Sequence, residues 1–201
     1  MDALGMLRQQ FMTVNIRLNH VFREISPDLL LSRVSPVANP VGFGLWHMAR
    51  TQDWGINTAV RGVPEVVHRR EWASSSVAAV PGIGTAFGPL EVDSVAGSID
   101  LPTLVLYANA VHGEALAWLA TLGEQDLDVV PDLAAHMAAF PEYTRREFVD
   151  ELSSGPEHDD VAEDTGGLPT WLILTSVCLT HLHRHLGEID LTLGVTTGRA
   201  G

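Results

Sequence analysis

Four long stretches of this chain repeat apolar residues every three or four positions, a period that commits each of them to a helix with one buried face. The first runs from about Ala3 to Ile25, where Leu4, Leu7, Phe11, Val14, Leu18, Val21 and Ile25 form one stripe. The second follows the start signal Asn39-Pro40 and runs to Arg61, with Gly62 as its stop and Pro64 just beyond. The third opens at Asp100 with Pro102 and carries Tyr107, Val111, Glu114 and Trp118 to Leu122, ahead of Gly123. The fourth is expected from about Pro169 to Leu193, stopping at Gly194. Between the first two, Ser26-Pro27 predicts a short helical piece through Leu31, serine capping and proline taking the first helical position.

Two long connections separate these stretches. Val63 to about Ile99 is rich in Gly, Ser, Ala, Val and Pro and shows neither a helical stripe nor strand alternation, so it reads as a crossover. Glu124 to Gly167 is a second insertion, with nine acidic residues between Glu142 and Asp164 and short helices expected around Leu133–Ala139 and Tyr143–Leu152. The part from Pro156 to Gly167 reads as solvated and mobile. The expected architecture is all-α: a four-helix bundle with long crossover connections, one domain over 1–201 with insertions at about 63–99 and 124–167.

Composition narrows function. The formal net charge of −13 disfavours nucleic acid and anionic membranes as partners, because phosphate backbones call for a basic stripe. All twelve cationic residues are arginine, which excludes lysine Schiff-base chemistry and a P-loop lysine. The single cysteine, Cys178, cannot form an internal disulfide, and Met1 to Phe11 lacks an apolar signal core, so a reducing cytoplasm is the expected compartment. The most apolar run, Leu168 to Leu182, falls short of the ~20 apolar residues of a membrane span. No Gly-x-Ser-x-Gly elbow or dinucleotide fingerprint follows a strand, and Gly82-Ile83-Gly84 reads as a loop.

What remains is a cluster of histidines. In His181-Leu-His-Arg-His185-Leu-Gly-Glu188, positions four apart lie about 40° apart on a helix, so His181 and His185 share a face while His183 points nearly opposite. That face continues through Trp171, Leu174, Cys178 and Glu188. An i,i+4 imidazole pair chelates a divalent ion, although two buried histidines bonded to their surroundings explain the spacing equally well. His47, mid-helix between Trp46 and Met48, is the best-placed third ligand; a histidine tucked beside aromatics is the plainer alternative. His20, His68, His112, His136 and His158 are given no metal role.

The segments Asn39-Pro-Val-Gly-Phe-Gly-Leu-Trp-His47-Met-Ala-Arg-Thr-Gln-Asp-Trp54 and His181-Leu-His-Arg-His185-Leu-Gly-Glu-Ile189 resemble the two motif regions of the DinB/YfiT-like superfamily. Tyr107 to Asp128 resembles its third helix and following turn. The resemblance implies a bundle with a long link between helices two and three, usually dimeric, that binds a divalent metal, zinc or nickel, through His47, His181 and His185. Glu188 stands where many members carry glutamine, as in the branch that includes mycothiol-dependent maleylpyruvate isomerase.

Other residues gather around this expectation. Cys178, one turn before His181, is a candidate fourth ligand or reactive thiol, with a small core hydrophobe as the simpler role. Glu188 could orient an imidazole or act as a base, or be a solvated helix-end acid. Arg50 could meet a substrate carboxylate, and Tyr107 and Glu114 share an inward stripe that could face the metal, with surface pairing as the alternative for Arg50 and Glu114. Trp46, Trp54, Trp118 and Trp171 are expected in the core. The function these features suggest is a metal-dependent enzyme acting on a small-molecule substrate, of the thiol-transferase or isomerase type, with a low-molecular-weight thiol as co-substrate. A metal-containing binding or stress-response module without turnover, and a metal-dependent hydrolase, are the alternatives.

Overall fold

The computed structural model describes residues 2–143 and 167–198, and among these residues every regular element is helical. Helix α1 (Ala3–Glu24) starts where the Asp2 carboxylate accepts the Gly5 amide at 2.6 Å, and it buries the expected stripe plus Phe22. Each such side chain withdrawn from water contributes about 1.5–3 kcal/mol. The Ser26-Pro27 signal produces only a single tight turn, Pro27–Leu29.

Helix α2 (Val41–Asp53) follows Pro40 and continues without a break into a wider π-helical turn, Trp54–Val60. All thirteen residues of α2 are buried. The crossover explains why: it is not helix-free as expected, but holds α3 (Pro89–Ser98), which packs Val92, Val95 and Ala96 inward and covers α2. With only ten residues and a weak stripe, α3 gains its stability from that packing more than from its own period.

Helix α4 (Leu101–Leu119) is capped by Asp100, and a tight turn, Glu124–Asp128, leads to α5 (Leu133–Ala139). The expected helix at Tyr143–Leu152 and the stretch from Pro156 fall, apart from Tyr143 and Gly167, outside the described residues. The last rod consists of α6 (Thr170–Thr175), a π-helical turn Ser176–Thr180, and α7 (His181–Thr197). It passes through Gly194 and ends at Gly198, which takes the left-handed conformation at φ 70°.

The four rods form a square: α2 packs against α4 and α7, and α1 packs against the same two. One apolar core runs between them, with Phe11, Leu45, Trp46, Met48, Trp54, Leu104, Tyr107 and Leu174 at its centre. The two π-helical turns meet where the second and fourth rods approach closely. A Cβ on Gly55 would lie 2.9 Å from Cys178 Sγ, so this crossing admits only glycine without movement. Among the described residues no helix is long and apolar enough to cross a membrane.

Candidate metal centre

His47 comes from the middle of α2, and His181 and His185 come from the first five residues of α7, so the α2–α7 interface carries all three. Their ligand atoms converge: His47 Nε2 lies 3.1 Å from His181 Nε2, and His181 Nε2 lies 2.6 Å from His185 Nε2. His47 and His185 are buried, and His181 is half-buried. Three imidazole nitrogens at about 2.0–2.1 Å from a tetrahedral ion stand about 3.3 Å apart, and the three ligand atoms here all lie within 4.8 Å of one another.

The outer nitrogens fix which form two of the rings take. His47 Nδ1 lies 2.5 Å from the carbonyl oxygen of Ile83, an atom that can only accept, so Nδ1 carries the proton and Nε2 a bare lone pair. His185 Nδ1 lies 2.7 Å from Glu188 Oε2 and donates to that carboxylate, which leaves its Nε2 an acceptor that faces His181 and also meets Arg184 Nη2 at 3.3 Å. Two Nε2 lone pairs therefore converge on the Nε2 of His181, and a cation at that point would be met by all three rings. Burial holds the His185 pKa down to about 2, with further lowering by His47, His181 and Arg184, so this ring stays neutral and able to ligate at ordinary pH. The rings are also held laterally, since Phe43 stacks on His47 with centroids 5.6 Å apart and planes within 5°.

The other residues singled out by sequence divide between the site and its surroundings. Glu188 meets the centre through the Nδ1 of His185, the position of an outer partner that orients a ligand ring. His183 faces away, its Nδ1 3.2 Å from Arg17 Nη1. Cys178 is fully buried beside Gly55, and burial pushes its thiol well above the ordinary range, so it sits as a core hydrophobe outside the histidine group. Trp171 is 36% exposed, unlike the other expected core tryptophans, because the π-helical turn rotates α6 relative to α7 and breaks the face extrapolated back from His181.

Arg50, Tyr107 and Glu114 do not line the histidine cluster. Arg50 is buried, and all of its guanidinium donors go to protein: Nε and Nη2 to the Gly82 carbonyl, Nη1 to Glu65 at 2.7 Å and to Tyr107 Oη, and Nη2 also to Tyr143 Oη. Tyr107 donates to Asp53 Oδ2 at 2.6 Å, and Asp53 also accepts from Asn57 and from the amides of Val66 and Val67. Glu114, two turns along α4, lies at the rim with Arg61 and Arg69. Sequence patterning pointed to neither Glu65 nor the carbonyls of Gly82 and Ile83. The only trace of the latter was a single apolar residue between two glycines in a loop otherwise without pattern.

A cleft of about 320 Å³ opens beside the centre, bounded by Val34, Pro40, Val41, Ile189, Thr192 and, at one end, the outer edge of His185 with Glu188. Its lining is mixed, mostly apolar with Asn39 and Thr192 as polar members beside His185 and Glu188. No protein-family model matches the chain, and no curated protein does. Among solved structures it is similar to a conserved protein from Enterococcus faecalis, at 15% identity and a TM-score of 0.69, over 99% of this chain and 99% of that one. At that identity the likeness is one of fold: an all-helical bundle shared end to end.

Proposed function

We propose that the chain is a divalent-metal protein of the DinB/YfiT-like kind, in which His47, His181 and His185 hold zinc or nickel as the centre of a thiol-dependent transferase or isomerase acting on a small molecule. The observation that carries this reading is the convergence of three ligand atoms with two fixed tautomers: Ile83 and Glu188 hold two protons outward, so the Nε2 atoms of His47 and His185 face a third imidazole as acceptors. A bound divalent ion supplies Lewis-acid chemistry, lowering the pKa of a coordinated thiol or water toward neutrality.

The chain's own residues supply the rest. Glu188 keeps the proton on His185 Nδ1 and its ring in place, Phe43 excludes water from one face of His47, and the cleft beside His185 offers apolar cover for a substrate body. Cys178 and Glu188, the two residues that could have closed the site as further ligands, are engaged elsewhere, the first in the core and the second on His185 Nδ1. That favours an enzyme, which needs an exchangeable position, over a closed structural site.

Elemental analysis of protein purified without chelator, beside the variant His47→Ala/His181→Ala/His185→Ala, tests the reading. About one equivalent of metal in the parent and none in the triple variant is expected. Equal metal content in both would remove the proposal.

A further inference from the structure

His47 and Arg50 lie three residues apart on α2, on one face, and both reach the same short turn of the crossover. Ile83 is fully buried in that turn, and its carbonyl takes the His47 Nδ1 proton. The preceding carbonyl, that of Gly82, accepts a fork from Arg50, Nε at 3.2 Å and Nη2 at 3.1 Å. Gly82 and Gly84 have φ of 76° and 93°, and a Cβ on Gly84 would lie 2.9 Å from both Phe43 and Trp46, so the turn is pressed onto α2 in a conformation that side chains resist. The two carbonyls belong to consecutive peptide units that share the α-carbon of the buried Ile83.

We propose that Arg50 is a positioning residue for the metal centre: by clamping the Gly82 carbonyl it aims the Ile83 carbonyl at His47 and so fixes which His47 nitrogen faces the ion. This rests on the metal reading given above. Arg50 is suited to the task because its own orientation is over-determined. Glu65 holds Nη1, the hydroxyls of Tyr107 and Tyr143 take further donors, and Asp53 lies 3.8 Å away. The planar guanidinium can present two parallel donors to one carbonyl while keeping its ion pair, which a lysine ammonium cannot do with the same geometry. A carbonyl that holds a ligand histidine typically matters by ten- to a hundredfold in metal affinity. Acting one peptide further out, Arg50 belongs at the lower end of that range.

The test measures zinc affinity by competition with a chromophoric chelator and the visible absorption of the cobalt-substituted protein, together with circular dichroism. Arg50→Met/Glu65→Gln removes the clamp together with the carboxylate it meets at 2.7 Å, while Asp53 keeps its hydrogen bonds from Tyr107, Asn57 and the Val66 and Val67 amides, and Arg50→Lys keeps the pair but loses the fork. Leu119→Ala, a cavity at the other end of the bundle beside Arg8, controls for general loss of stability. Expected are a roughly tenfold weaker zinc affinity in the double variant, a smaller loss in Arg50→Lys, a shifted cobalt spectrum in both, and neither change in Leu119→Ala. Affinities within twofold of the parent in both Arg50 variants, or equal losses in all three proteins, would overturn the proposal and leave Arg50 a purely structural residue. If the parent takes up no zinc, the metal reading falls and this inference with it. Uptake by the parent with unchanged affinity in the double variant defeats this inference alone.

Discussion

One turn apart on the same helix, His47 and Arg50 belong to buried polar clusters of opposite kind. Around Arg50 every charge meets an opposite charge or a hydrogen-bond partner: Glu65 takes Arg50, Thr58 and Tyr143, and Asp53 takes Tyr107, Asn57 and two backbone amides. Around His47 three imidazoles converge with Nε2 atoms 3.1 and 2.6 Å apart in sequence, and the outer hydrogen bonds hold two protons on the far nitrogens so that the ligating nitrogens face inward. A complete cluster contributes to folding by itself, whereas an incomplete one becomes favourable only when something else arrives. The difference separates a structural clamp from a site, although both are polar and largely buried.

The comparison breaks most visibly when a member of the complete cluster is removed. Arg50→Ala leaves Glu65 and Asp53 as buried, uncompensated carboxylates, and breaking a buried pair from one side costs about 3–5 kcal/mol. Burial works against the Arg50 charge, but Glu65, the two tyrosines and Asp53 outweigh it and hold its pKa well above the ordinary value, so the charge persists at any working pH. Urea unfolding should show that loss with or without metal. A change under 1 kcal/mol would mean the network is not the clamp its geometry suggests.

The same operation on the incomplete cluster should have the reverse sign without metal. His185→Leu replaces a crowded lone pair with apolar volume in a site that is 6% exposed, so the metal-free variant should match or exceed the parent in thermal stability. With zinc at a hundredfold its dissociation constant the parent should gain about 2.7 kcal/mol and the variant nothing. A parent whose melting temperature ignores zinc, nickel and cobalt alike would erase the contrast between the two clusters.

The contrast was only half legible in the sequence. Helical periodicity gave the rods of the bundle, and the i,i+4 spacing brought His181 and His185 to one face with His183 turned away, because both follow from 100° per residue within a continuous helix. It failed where the helix is not regular: the π-helical turn at Ser176–Thr180 put Trp171 half out of the core, and Gly194, a stop by composition, lies inside α7 because nothing at that point forces a left-handed residue. Tyr107 stood on an inward face as expected, Arg50 is buried where surface pairing was the plainer alternative, and Glu114 reached only the rim, because a face says nothing about which distant loop arrives there. Glu65 and the Gly82–Gly84 turn come from a connection without period, and their partners are set by tertiary packing alone.

Glu114 offers the mildest version of the comparison, since it shares a stripe with Tyr107 yet sits two turns away at the rim. Its side chain is 21% exposed and meets Arg61 at 3.1 Å and Arg69. Partial burial raises its carboxyl, and the hydrogen bonds and charges of Arg69 and Arg61 outweigh this, leaving the pKa below its ordinary value of 4.5. The folded state therefore favours the ionised form. Its contribution is fully present above pH of about 4.5 and is lost as pH falls through the lowered folded value. For a rim pair the gain is at most about 1 kcal/mol and weakens with salt. Glu114→Gln should lower the urea midpoint slightly at pH 7, and the gap to the parent should close on acidification below the ordinary glutamate range. A gap that widens on acidification would mean the carboxyl is held protonated, placing Glu114 with the buried cluster and not at the rim.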